Sequence, residues 1–173
     1  MIHNTKKSKI DSRYDSRFDD YGPIYHICDI KNYKSNKSKY RVNFFGAVFG
    51  NSHKPGVGVV IRNDLREEMA SLSEKIVMPL LVEVLEMLVA RRAAIFAKEL
   101  SFKHVWFEGD AEGVVRSLRD AVSSNAFVGH LMKDFTSIIG LFQAFSISHV
   151  RRQDNSVAHA LTKEAKMSFP LRI

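Results

Sequence analysis

The sequence predicts an α/β protein with a mixed five-stranded sheet: three antiparallel strands, then parallel ones, flanked by helices. Three observations point there. Residues 40–73 hold three short β-rich runs separated by turn residues. The apolar spacing then becomes helical between Pro79 and Leu100. A further apolar run, Val105 to Phe107, ends abruptly at Glu108, Gly109 and Asp110 before another helical pattern starts. A strand, a long helix and a strand form a crossover, and crossovers join parallel neighbours.

Residues 1–39 carry nine Lys or Arg against five Asp, with few aliphatics. Such a segment cannot bury enough apolar surface to offset its ordering entropy, so a disordered basic tail is expected. Within it, Ile24 to Cys28 is expected at most as an isolated strand. The folded domain is expected over 40–168, with a short tail at 169–173.

The first strand runs from Tyr40 to Phe49, and turn residues fill 50–56. Val57 to Arg62 is the second strand, Asn63-Asp64 starts a turn, and Arg66 to Ser73 returns as the third. Leu81, Val84, Leu85, Leu88 and Ile95 follow helical spacing, with Pro79 suited to the first turn. A second line on that helix is Glu86, Ala90, Ala93 and Ala97. Small residues let a helix approach a sheet closely, so this line carries Glu86 to the sheet's surface. The same helix bears Arg91 and Arg92. After the strand at His104 to Glu108, a helix contains Val114, Val115 and Leu118, and Ser123-Ser124-Asn125 breaks it. The next helix passes through Leu131, Phe135, Ile138, Ile139 and Phe142. Phe145 to Val150 alternates as a last strand. Arg151 to Asp154 is a polar loop, and Asn155 is placed to cap a final helix with Val157, Ala158, Leu161 and Ala165 inward.

The chain is 45% hydrophobic and 26% charged, which supplies enough apolar residues for a core. A formal net charge of +7 favours acidic partners such as nucleic acid. One cysteine, Cys28, excludes an internal disulfide and a Cys-based zinc cluster, and fits a reducing, intracellular setting. The N-terminus has no apolar signal core. The stretch Ile76 to Val82, interrupted by Pro79, falls far short of the ~20 residues a membrane helix needs. A soluble monomer without membrane contact is expected, with nucleus and cytoplasm both open.

Asp110 sits at the carboxyl end of a strand, where α/β sheets bind ligands. Three roles are open to it: capping the next helix, binding a metal, or pairing with a basic residue. Arg151 and Arg152 follow the last strand and can contact phosphate. Trp106 and Phe107 are expected in the core and on its flank.

Five segments, in order, resemble the ribonuclease H family, and most closely the plant-type domains related to reverse transcriptases of non-LTR retrotransposons. Arg41-Val42-Asn43-Phe44 with Gly46-Ala47 resembles the family's first strand. Gly56 to Asn63 is similar to its glycine-bearing second strand and turn. Glu86 to Ala93 resembles the helix that carries an acidic residue, and Val105 to Asp110 the strand that ends in the next. His149-Val150-Arg151-Arg152-Gln153-Asp154-Asn155-Ser156-Val157-Ala158-His159-Ala160-Leu161 is the most specific match, close to the closing motif.

The resemblance implies a metal-dependent nuclease that cuts the RNA strand of an RNA–DNA hybrid. Acidic side chains would hold two Mg²⁺ ions, one activating water and one stabilising the leaving oxygen. Carboxylates serve because Mg²⁺ prefers hard oxygen ligands. Of the family's four acidic positions, two keep a carboxylate: Glu86 on the first helix and Asp110 after the fourth strand. The other two hold Phe45 and His159. A neutral imidazole can still bind metal or move a proton, whereas Phe45 can do neither and puts an apolar ring where the family bridges its ions. Glu108 faces the same side as Asp110 but cannot by itself reach the first strand's position. Asp154 lies on a loop. The chain is therefore expected to bind duplex nucleic acid, an RNA–DNA hybrid foremost, through Arg91, Arg92, Arg151, Arg152 and the tail, with weak or no cleavage. The alternatives are a non-catalytic binding module and a decayed retroelement fragment.

Overall fold

The computed structural model describes residues 23–28, 38–49, 55–79, 81–122 and 126–167. In chain order the elements are β1 (Ile24–Ile27), β2 (Tyr40–Ala47), β3 (Gly56–Arg62), β4 (Glu68–Lys75), α1 (Val82–Glu99), β5 (His104–Gly109), α2 (Glu112–Asp120), α3 (Ala126–Ile139), β6 (Ala144–His149) and α4 (Ser156–Met167). The expected helix break at 123–125, the expected C-terminal tail at 169–173 and most of the expected turn at 50–56 lie outside the described residues, as do 1–22 and 29–37.

The strands form one sheet in the order β1-β4-β3-β2-β5-β6. β2, β3 and β4 make the antiparallel meander, and β2–β5 and β5–β6 are parallel. The sheet has six strands where five were expected. The sixth is β1, which pairs antiparallel with β4 from Ile24↔Ser73 to Ile27↔Ala70 instead of standing alone. Side chains from both layers hold this short strand. On one side the Tyr25 ring lies 5.8 Å from Phe96 of α1, and its hydroxyl accepts a 2.9 Å bond from Arg92 Nη2. On the other, His26 Nε2 is 3.9 Å from a carboxylate oxygen of Glu164 on α4. Local composition carries no trace of such partners; Arg92 lies 67 residues further along the chain than Tyr25.

Alternation along β2 and β5 sorts the two faces. Val42, Phe44, Val105 and Phe107 are buried on the face that receives α1, α2 and α3. Phe107 meets Phe135 of α3 edge-on at 5.7 Å. Ala90, Ala93 and Ala97 are fully buried, so the small-residue line does bring α1 close. The approach is tight at Gly46, where a Cβ would come within 2.7 Å of Val89 Cγ2. The opposite face carries α4. It crosses β3 so closely that a Cβ on Gly58 would sit 2.1 Å from the Ala158 carbonyl oxygen. Ser73 Oγ donates to the Leu161 carbonyl at 2.7 Å, and Thr162 Oγ1 to the Phe45 carbonyl at 3.2 Å, which fixes α4 over β4, β3 and β2. The carboxyl ends of β2 and β5 and the first turns of α1 and α4 therefore meet at one pole.

Candidate functional site: the pole between β2, β5, α1 and α4

The pole is built by four short-range placements. β2 delivers Phe45, the residue before the glycine that admits α1. β5 ends at Gly109, so Asp110 leaves the sheet at its carboxyl edge. α1 brings Glu86 from its second turn, on the alanine line. α4 brings His159 one turn after Asn155.

Asp110 is not a helix cap: the N-cap position of α2 is Ala111, and no side chain caps it. Its side chain is 11% exposed and that of His159 is 12%. Asp110 Oδ2 lies 2.9 Å from His159 Nε2, and Oδ1 accepts a 3.2 Å bond from Asn155 Nδ2. Of the three open roles, pairing with a basic residue is the one the geometry realises, and that residue is His159. The imidazole also stacks on the Phe45 ring, with centroids 3.4 Å apart and planes inclined by 20°. Arg152 completes the pile, its guanidinium carbon 5.9 Å from the Phe45 centroid. Phe45 and His159 are thus each other's partners.

Asn155 is where sequence reasoning fell short. Its place is that of the expected cap, since α4 begins at Ser156 and the Asn155 carbonyl accepts from His159 N–H at 3.1 Å. Its side chain, however, turns into the sheet. Nδ2 bonds the Phe44 carbonyl at 2.9 Å as well as Asp110, and Oδ1 is buried without a hydrogen-bond partner. Asn155 thus ties β2, β5 and α4 together, a role visible only once those elements are assembled.

Glu86 stands apart from this pile. Loss of solvent, and secondarily the charge of Asp110, push its carboxyl up to about 7. Glu108 is 6% exposed and belongs to a different group. It accepts from Arg41 Nη1 and, at 3.0 Å, from Asn43 Nδ2, while Arg62 donates to Asn43 Oδ1 at 2.7 Å. Nothing in local spacing announced this network, because it needs the β2–β5 register that sets Asn43 opposite Glu108. Asp154 remains exposed on the loop.

The four expected phosphate-binding arginines divide. Arg151 and Arg152 are exposed on the loop between β6 and α4. Arg91 pairs with Asp134 of α3 at 3.2 Å. Arg92 is committed inward, at 2.7 Å from Glu74 and 3.5 Å from Glu99, with its side chain 18% exposed.

A family model described as reverse transcriptase-like matches residues 43–165. The chain belongs to the reverse transcriptase-like family. That match spans β2 to α4 and every residue of the pole. Solved structures similar to this family member include ribonucleases H. One is RNase H1 of the halophilic archaeon Halobacterium salinarum, with a TM-score of 0.69 and 24% identity over 76% of this chain and 99% of that one. Another is the N-terminal RNase H domain of a Mycobacterium tuberculosis protein, with a TM-score of 0.66 and 18% identity over 75% and 94%. A third, LC11-RNase H1 in complex with an RNA/DNA hybrid, has a TM-score of 0.56 and 19% identity over 75% and 96%. At these identities the structures establish a ribonuclease H-like fold. No curated protein matches the sequence.

The divalent ions that the resemblance implied do not fit the residues at this family member's pole. Both oxygens of Asp110 are engaged by Asn155 and His159. Phe45 presents hydrocarbon in place of a ligand. Among the described residues, no three His, Cys, Asp or Glu side chains converge as a metal-binding group. Among those residues, too, no helix is long and apolar enough to cross a membrane.

Proposed function

We propose that this chain is a nucleic-acid-binding domain of ribonuclease H type that grips duplex nucleic acid, RNA–DNA hybrid foremost, and cleaves it weakly or not at all. The observation that carries the reading is the pile Arg152–Phe45–His159–Asp110, which joins an exposed cation to a pole whose acidic positions are filled by one another's partners. Supporting it are the family, the net charge of +7, and the RNA/DNA hybrid held by a structurally similar ribonuclease H. Arg151 and Arg152 supply backbone-directed cations beside the pole, and phosphate contacts of this kind position a duplex without reading its sequence. Arg92 contributes structure instead, holding β1 and Glu74. The intact Asp110 and Glu86 are read as remnants of a ligand set, because hydrolysis in this fold class depends on preorganised charge that Phe45 cannot supply.

Two measurements test this. Fluorescence anisotropy should show a labelled hybrid binding with an affinity that falls steeply as salt rises. Replacing both Arg151 and Arg152 by Ala should reduce the slope of log K against log salt by about 2. Affinity that does not change with salt overturns the proposal. In parallel, a labelled hybrid incubated with Mg²⁺ or Mn²⁺ should stay largely intact. Rapid cleavage that Glu86→Gln and Asp110→Asn abolish would show an active nuclease instead.

A further inference from the structure

We infer that the pole has exchanged a divalent-cation site for a cation-independent clasp. In it, His159 and Asn155 each occupy one oxygen of the Asp110 carboxylate, and the Phe45 ring stacked on the imidazole fills the space a metal and its ligands would need. This deepens the proposed function and is tested without nucleic acid, so the two can fail separately.

A buried carboxylate needs its oxygens satisfied, by a bound cation or by hydrogen-bonding side chains. Here two donors from α4 reach the same carboxylate: Nε2 of His159 at 2.9 Å and Nδ2 of Asn155 at 3.2 Å. The ring that orients His159 is itself one of the altered positions, stacked at 3.4 Å. Phe45 and His159 therefore act as a unit. With His159 alone replaced by an acid, Phe45 would face a carboxylate beside Asp110. With Phe45 alone replaced, a carboxylate would enter beneath an imidazole already spoken for. Asn155 adds a mechanical element: its bonds to both the Phe44 carbonyl and Asp110 lock the strand end to the helix start. The outcome is a junction in which a former ligand position holds β5 to α4.

The test is a titration of the full chain with Mn²⁺, followed by water-proton relaxation and by broadening of the His159 imidazole NMR signals, with Mg²⁺ calorimetry alongside. The wild-type chain should show no saturable uptake in the millimolar range, no selective broadening at His159, and a Tm that Mg²⁺ and EDTA leave equal. The double variant Phe45→Asp/His159→Asp should gain saturable uptake. Its Tm should rise by roughly 5 to 10 °C when Mg²⁺ is about 100-fold above its Kd. If that variant folds only when Mg²⁺ is added, the result is the same. Saturable Mn²⁺ uptake by the wild type that broadens His159 and disappears in Asp110→Asn overturns the inference. So does a folded double variant that takes up no metal. Should the double variant not fold under any condition, the wild-type titration and its His159 signals still decide the matter.

Discussion

On the α4 side of the pole, Asp110 has both carboxylate oxygens engaged, by an imidazole and an amide. On the α1 side, Glu86 faces the same pole with no side-chain hydrogen bond among the described residues, and its carboxyl is pushed up to about 7. The two are close enough for the charge of Asp110 to raise Glu86. They differ in what the neighbouring element offers. α4 contributes Asn155 and His159, so Asp110 acts as a joint. Glu86 loses water without gaining a side-chain donor among the described residues, and its neutral form is favoured. A carboxylate's position in a fold is thus inherited separately from its chemistry, which depends on the side chains that converge on it.

The sharpest way to break the contrast is on the Asp110 side. Asp110→Ala strips the partner from both His159 and Asn155, and should cost about 3 kcal/mol, or a Tm lower by roughly 6 to 12 °C in a thermal melt. If stability rises instead, Asp110 is an uncompensated buried carboxyl like Glu86, and the two sides are alike.

Glu86→Gln should act in the opposite direction and depend on pH. The folded carboxyl titrates near 7 against an ordinary value of 4.5. Below the lower value Glu86 is protonated in both states. As pH rises from there to about 7, the unfolded chain releases its proton first, and the wild type loses stability. The variant should therefore match the wild type near pH 4 and exceed it near pH 8, by up to about 3 kcal/mol less what solvent screening removes. Denaturant melts at both pH values check this, and a pH-independent difference would contradict it.

The Arg92 group offers a control cluster that lies at none of the family's acidic positions. Arg92→Met leaves Glu74 unpaired and frees Tyr25, and should cost about 2 kcal/mol. Hydrogen exchange should show β1 losing protection while the pole keeps its own. The smallest effect is expected from Phe45→Leu, which keeps apolar bulk but removes the stack beneath His159, at about 1 kcal/mol. A thermal melt at neutral pH measures it. A null result would mean that Asp110 alone holds the imidazole.

The meander, the crossover and the helices were legible because each rests on spacing within a window of about ten residues. Glu86 and Asp110 were legible as a pair through motif order, and the alanine line foretold how Glu86 reaches the pole. β1 was read as an isolated strand in a tail because its partners are Ser73, Phe96, Arg92 and Glu164, all remote in the chain. Arg92 was read as a phosphate ligand because a surface-type sequence position says nothing of Glu74 across the fold. His159 and Phe45 were read as two separate losses, yet they are one contact across 114 positions of the chain, from 45 to 159.

What the sequence determined by itself is the order of the elements from β2 onward and the faces they bury. These follow from local periodicity and residue identity. What only the tertiary structure decided is what Phe45, His159 and Asp110 touch. The stack of Phe45 on His159, and the capture of Asp110 by His159 and Asn155, exist only because β2, β5 and α4 end at the same place. Charge balance and stacking act over a few ångströms in space, and sequence distance carries no measure of that.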